Sequence, residues 1–182
     1  MKPLPLIAVL YVGLAVCLAQ QVPQFVIRTN KQFGLSKGDD FYTLGTKLED
    51  FRARFGRPEK SEKDDSDDGY LAHTVTDYYV KDGLMVTANR DGRIIGFIFY
   101  LIPSPILKVA QAATDRGIAA GATEREITKL YGDPYRKKEY KDDVFERTLF
   151  YKYGESVLSF RFKDATLQAI SLNADYLPYL AK

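Results

Sequence analysis

The spacing of apolar and polar residues changes period several times along the chain, and each change marks an element. Near Thr46 the period is helical: Leu48, Phe51 and Phe55 fall at i, i+3 and i+7, one stripe of a short amphipathic helix. Thr46-Lys47-Leu48-Glu49 has the spacing of a capping box. Gly56 supplies a left-handed stop, and Pro58 cannot continue a helix. The same order of signals returns with an offset of 76 residues, from Gly45 and Pro58 to Gly121 and Pro134. There Thr123-Glu124-Arg125-Glu126 opens the helix, Ile127, Leu130 and Tyr131 form the stripe, and Gly132 and Pro134 close it.

After each helix the period drops to two. In the first copy strands are expected over 73–80, 84–89 and 94–102, with turns at Lys81-Asp82-Gly83 and Asp91-Gly92. In the second they are expected over 145–153, 157–162 and 167–172, with turns at Gly154-Glu155 and Lys163-Asp164. Helices this short are marginal alone, and a meander with one apolar face needs a lid. The expected fold class is therefore α+β: two tandem repeats, each a short helix packed on an antiparallel three-stranded meander, joined edge to edge into one sheet.

The corresponding division is a signal peptide at 1–19, a partly ordered lead-in at 20–40, repeat 1 at 41–102, a connector at 103–117, repeat 2 at 118–173 and a C-terminal tail at 174–182. The connector reads as helical because Ile106, Val109, Ala110 and Ala113 would share one face.

Composition supports a core: 46% of the 182 residues are hydrophobic and 27% charged, which excludes wholesale disorder. The formal charge of +2, with Lys and Arg interleaved among Asp and Glu, gives no concentrated basic face and argues against a nucleic-acid partner. Lys2 and the apolar run from Leu4 to Leu18 predict a secretory signal cleaved after Ala19, and hence a secreted or periplasmic protein; a retained membrane anchor is the other reading.

Cys17, the one cysteine, is a candidate lipidation site, although Leu14-Ala15-Val16 fits a lipobox only in part. Its acylation would give a membrane-tethered protein, with the lipid as its only membrane contact. Cleavage after Ala19 would leave no disulfide and no thiol nucleophile.

Candidate chemistry is sparse. His73, the single histidine, has no nucleophile or orienting carboxylate at a telling spacing. Asp64-Asp65-Ser66-Asp67-Asp68-Gly69 resembles a calcium loop, but the twelfth residue from Asp64 is Val75 rather than Glu, so it reads as a solvated acidic loop. One His and no mature Cys give no zinc set. No catalytic residue, metal site or cofactor is expected, and an enzyme using His73 with carboxylates is the least supported reading.

Tyrosines are the better signal, since exposed tyrosine on a rigid sheet buries large area at low entropy cost. Tyr78 and Tyr79 in the first copy, Tyr151 and Tyr153 in the second, and Tyr135 and Tyr140 beyond the second Gly-x-Pro are candidates for a protein-binding patch.

The repeated Gly-x-Thr-x-x-Glu start, closed by aromatic-Gly-x-Pro and followed by a meander, resembles the superfamily of the β-lactamase inhibitory protein and the SmpA/OmlA outer-membrane assembly lipoproteins. Gly121, Thr123, Glu126, Ile127, Gly132 and Pro134 match it. The first copy matches at Gly45, Asp50, Phe51, Gly56 and Pro58, with Thr46 displaced by one position. The resemblance covers about 40 to 172 and implies a sheet face that docks on another exported protein. A hairpin aspartate comparable to the inhibitor's would be Asp77 or Asp82. The inhibitor's disulfides and its tryptophan-rich face have no counterpart here.

The expected function is thus an exported, non-catalytic protein-binding module, inhibitor-like or envelope-associated, whose partner is another exported or envelope protein. A lipid-anchored outer-membrane assembly or maintenance lipoprotein is the alternative.

Overall fold

The computed structural model describes residues 23–30, 33–66, 72–140 and 145–175. In chain order the elements are β1 (Phe25–Arg28), β2 (Gly34–Lys37), β3 (Asp40–Thr43), α1 (Leu48–Phe55), β4 (Lys60–Lys63), β5 (Val75–Tyr79), a 3-10 turn (Val80–Asp82), β6 (Leu84–Ala88), β7 (Ile94–Tyr100) and β8 (Ala112–Thr114). There follow α2 (Glu124–Tyr131), β9 (Arg136–Glu139), β10 (Arg147–Tyr153), β11 (Ser156–Lys163) and β12 (Thr166–Ala174).

Eight strands form one antiparallel sheet in the order β4-β5-β6-β7-β12-β11-β10-β9. The other four form a second sheet, β3-β2-β1-β8, in which β1 and β8 run parallel. The expectation of two helix-plus-three-stranded-meander repeats is overturned: the fold is mostly β, with 46% strand, two helices and two sheets.

Three local causes underlie the correction. First, β4 and β9 read Lys-Ser-Glu-Lys and Arg-Lys-Lys-Glu, with no apolar alternation to betray them. They are the edges of the large sheet, where charge blocks pairing with a further strand. Second, the lead-in supplies β1, β2 and part of β3, and Phe25, Ile27, Leu35 and Tyr42 enter the core from that smaller sheet.

Third, the 103–117 connector is extended rather than helical. Its supposed apolar face is split, with Ile106 and Val109 exposed at 47% and 44% while Ala110 and Ala113 are buried. The Lys108 and Ala110 amides donate to the carbonyls of Val80 and Tyr100 at 2.9 and 2.7 Å, so the segment is tied to the turn after β5 and to the end of β7. A Cβ on Gly83 would stand 2.4 Å from the Lys108 carbonyl oxygen, so only glycine lets the two backbones approach this closely.

The core lies between the large sheet and a layer made of both helices and the smaller sheet. Phe51 of α1 is fully buried, with rings of Phe55 and Tyr42 each 4.7 Å away and that of Phe97 at 6.0 Å. Ile127 is the buried residue of α2.

The helix starts differ. Thr123 and Glu126 close a capping box on α2, as the spacing predicts. On α1 the N-cap is Lys47 without a side-chain cap, so the expected Thr46–Glu49 box does not form, and the Leu48 amide donates instead to the Gly92 carbonyl at 2.8 Å. Neither helix among the described residues is long and apolar enough to cross a membrane.

Candidate functional site

Side chains along a strand alternate between faces, so each core residue of the large sheet has a neighbour pointing away from the helices. The strand registers join these neighbours into rows. One row runs from Lys60 through Tyr78, Met85, Ile98, Ser171, Ser159 and Phe150 to Arg136, crossing all eight strands. Tyr78, Met85, Ile98 and Arg136 are half-buried. Ser159 and Ser171 are buried against each other through a hydroxyl hydrogen bond of 2.5 Å, and Phe150 with Val157 forms a small separate apolar cluster. A neighbouring row carries Tyr100, Ala169, Arg161, Thr148 and Lys138. Across β12, β11 and β10 this face is buried at Ser171, Ala169, Ser159, Thr148 and Phe150, whereas across β5, β6 and β7 it stays partly exposed at Tyr78, Met85 and Ile98, with charged groups towards both ends; this partly exposed part is the open face.

The ends differ. At the β4–β5 end, Lys60 pairs with Glu62 at 2.5 Å, and the Tyr78 hydroxyl donates to Glu62 at 2.6 Å. Glu62, Asp64, Asp65, Thr76 and Tyr78 help line a cleft of about 480 Å³ there. Hydrogen bonds from Ser66 hold the Asp64 carboxyl below its ordinary range. At the β9–β11 end, Lys138 lies 4.7 Å from the Tyr140 ring and Arg161 5.3 Å from the Phe145 ring, which is itself 6.3 Å from Tyr100. Lys152 is ion-paired with Asp175 and lies over Tyr135, which is 61% exposed.

The structure separates the residues that the sequence groups together. Tyr78 is on the open face and Tyr140 stands at its far end, after β9. Tyr79 and Tyr151 are corrected to core residues on the helix side, where each adjacent strand neighbour faces the other way. Tyr153 packs on Phe33, also on that side, with centroids 4.8 Å apart.

Asp77 is corrected too. It is fully buried and accepts both Arg52 nitrogens at 2.7 and 2.6 Å and the Ser61 hydroxyl at 2.8 Å, so it offers nothing to a partner. Asp82 accepts from Gln24 at 2.9 Å, tying the hairpin to the chain just before β1. His73 sits in the turn before β5 with φ of 55°. Among the described residues no cluster of three or more His, Cys, Asp or Glu is placed to hold a metal ion. Cys17, Asp67 and Asp68 lie outside the described residues, as does the tail beyond Asp175. Met85, Ile98 and Tyr100 are the open-face residues that sequence reading missed; period-two alternation marks them once the core face is known.

The buried tyrosines have a different task. Each helix ends at a glycine whose carbonyl accepts from a strand tyrosine: Tyr79 to Gly56 and Tyr151 to Gly132, both at 3.1 Å. Burial pushes the Tyr151 hydroxyl up to about 12, with the nearby Tyr153 and Glu124 adding to it, and it raises Tyr79 as well. Tyr78 is pushed up to about 12 by burial and by its bond to Glu62.

Folded-state values above the ordinary value near 10 mean that the folded protein holds these protons longer than the unfolded chain. The stability they confer is present in full below pH of about 10 and is lost as pH rises towards about 12. Tyr151→Phe is expected to cost about 1 kcal/mol at neutral pH by orphaning the Gly132 carbonyl, and to flatten the alkaline decline. Urea titrations at several pH values measure both. An unchanged alkaline slope in Tyr151→Phe contradicts this account.

With the fold and face described, the protein belongs structurally among mostly-β proteins with a large antiparallel sheet backed by short helices. No protein-family model matches the sequence, and no curated protein matches it either. Among solved structures, a DUF4309 family protein of Bacillus subtilis aligns over 73% of this chain and 82% of its own, at 19% identity and a TM-score of 0.48. A cysteine-rich secretory protein of Staphylococcus aureus aligns over 74% of this chain at 11% identity and a TM-score of 0.50, a likeness of fold alone. The aligned part of that protein is 44% of its length.

Proposed function

We propose that the protein is an exported, non-catalytic binding module that grips another exported or envelope protein on the open face of its large sheet. The carrying observation is the row Tyr78, Met85 and Ile98. It places adjoining large side chains, half-buried, on three neighbouring strands of a rigid sheet, with charged groups at both ends of the face. Aromatic and Met anchors framed by polar residues are what protein interfaces favour. Both edges of the sheet are charged, which favours docking on the face over strand addition at the rim.

Export, to a secreted or periplasmic location, is part of the same proposal. It draws on the apolar leader sequence and accords with a fold neighbour described as a secretory protein. The motif-level resemblance to the β-lactamase inhibitory protein superfamily points the same way, without implying that this chain inhibits a β-lactamase.

Affinity capture from the protein's own envelope and secreted fractions tests the reading. A partner held by the wild type should be lost, at least tenfold, with Ile98→Asp and with Tyr78→Ala, while circular dichroism shows both variants folded. Equal capture by folded variants and wild type would remove the open face from consideration.

A further inference from the structure

Across β10, β11 and β12 the outer face of the large sheet is floored by small residues and is nonetheless closed to water. Ser159, Ser171, Ala169 and Thr148 are at most 2% exposed, and Phe150 and Val157 beside them, at 7% and 4%, form an apolar pair apart from the main core. Side chains this short cannot hide one another on a pleated surface, where neighbouring strands stand about 4.8 Å apart. Both helices and the smaller sheet pack on the opposite side, so among the described residues no helix or strand is laid over this trough.

We propose that the C-terminal segment from Tyr176 to Lys182, which lies outside the described residues, docks in this trough and closes it. Its starting point is the first argument. β12 ends at Ala174 between β7 and β11, and Asp175 is fixed there by its amide, which donates to the Glu155 carbonyl at 2.6 Å, and by its ion pair with Lys152. Lys152 is the cross-strand partner of Val157, so the chain is delivered at the Val157 end of the trough. Pro178 cannot donate to a ladder, which keeps the segment from continuing as an interior strand.

Reach is the second argument. Seven extended residues span about 23 Å, and the distance along β11 from Val157 to Arg161 is about 14 Å. Complementarity is the third. Tyr176, Leu177, Tyr179 and Leu180 are large where the floor is small. The terminal carboxylate comes within reach of Arg161 and Lys138, which flank Thr148 in register and join no ion pair among the described residues.

Other segments outside the described residues are placed less well. Residues 31–32 join strands of the smaller sheet, 67–71 join β4 to β5 at the far edge, and 141–144 join β9 to β10 at the end of the trough opposite Val157. The leader is lost on the export proposed above. The trough adjoins the exposed row, because Ser171 is the cross-strand partner of Ile98, so displacing the segment would lengthen the docking surface. The inference does not depend on that surface gripping a partner.

The chain from Gln20 onward has no cysteine, so Ser159→Cys places a single thiol under the segment. Maleimide labelling of that thiol should be slow in the mature chain and at least about tenfold faster when the chain ends at Asp175. Ala88→Cys, on a fully buried core position, is the control and should stay slow in both. A synthetic heptapeptide of residues 176–182, at about 1 mM, should slow the labelling of Ser159→Cys in the shortened chain again. Where shortening also exposes Ala88→Cys, the full-length Leu177→Ser/Leu180→Ser chain decides, with the same gain expected.

Fast labelling of Ser159→Cys in the intact mature chain overturns the proposal, since the trough would then be bare once the leader is gone. Slow labelling in both the shortened and the Leu177→Ser/Leu180→Ser chains overturns it as well, because another segment would be the cover. So does exposure of Ala88→Cys in both, which would make the segment a brace for the core. Partner capture indifferent to Ile98→Asp leaves these labelling rates untouched, so the two readings fail separately.

Discussion

Arg52→Leu is expected to lower the unfolding free energy by about 3 kcal/mol, the low end of the loss seen when one member of a buried ion pair is removed. Asp77 is fully buried, and Arg52 supplies two of its three hydrogen bonds, with Ser61 as the third. The guanidinium reaches in from α1 with a third of its side chain still in solvent. The two partners are therefore not equivalent: Asp77→Leu leaves a cation that can rehydrate, while Arg52→Leu strands a carboxylate that cannot. The double variant should recover most of the single loss, since removing both charges leaves no orphan. Urea unfolding of the two single variants and the double variant at neutral pH measures all of this. A loss below about 1 kcal/mol would mean that the Ser61 side opens to water.

Phe51→Ala is expected to cost about 4 kcal/mol, within the range for removing a buried aromatic. Its ring meets those of Phe55 and Tyr42 at 4.7 Å, Tyr79 at 5.7 Å and Phe97 at 6.0 Å, so the substitution opens a void where α1, the smaller sheet and the large sheet all converge. Phe51→Leu should keep more than half of that stability. Leu130→Ala on α2 is the contrast: by sequence it belongs to the apolar stripe of that helix, but it is 43% exposed and should change stability by less than about 0.5 kcal/mol. Thermal and urea unfolding compare the three, and similar losses for Phe51→Ala and Leu130→Ala would show that the core does not centre on α1.

Those two residues also show how far a sequence can be read. Helix positions were legible because Gly56, Gly132 and the Thr123–Glu126 box are local devices whose physics is complete within a few residues. The six central strands were legible because one face of each is apolar. The edges β4 and β9 were not, since a strand that must repel further pairing is written in charges and looks like a loop. β8 was illegible for a different reason: a three-residue strand gains its identity from β1, whose counterpart lies 87 residues earlier in the register Phe25↔Ala112. Tyr79 and Tyr151 were misplaced because adjacent tyrosines do not reveal which of a pair faces inward. That depends on which side the helices cover. Met85 and Ile98 were passed over as ordinary strand apolars for the same reason.

The parallel β1–β8 pair, secured by Asp115 accepting from the Thr29 amide at 2.8 Å and the Thr29 hydroxyl at 2.6 Å, also bears on folding kinetics. It closes a chain loop that contains α1 and β4 to β7, so the first half of the large sheet forms inside a ring whose clasp is made late in the sequence. Loop closure of this length is slow relative to hairpin formation. During synthesis the apolar side of β1 must wait, unpaired on one edge, until the chain has reached Thr114. A truncated chain ending before β8 should accordingly be aggregation-prone, because Phe25 and Ile27 would lack the strand that completes their sheet.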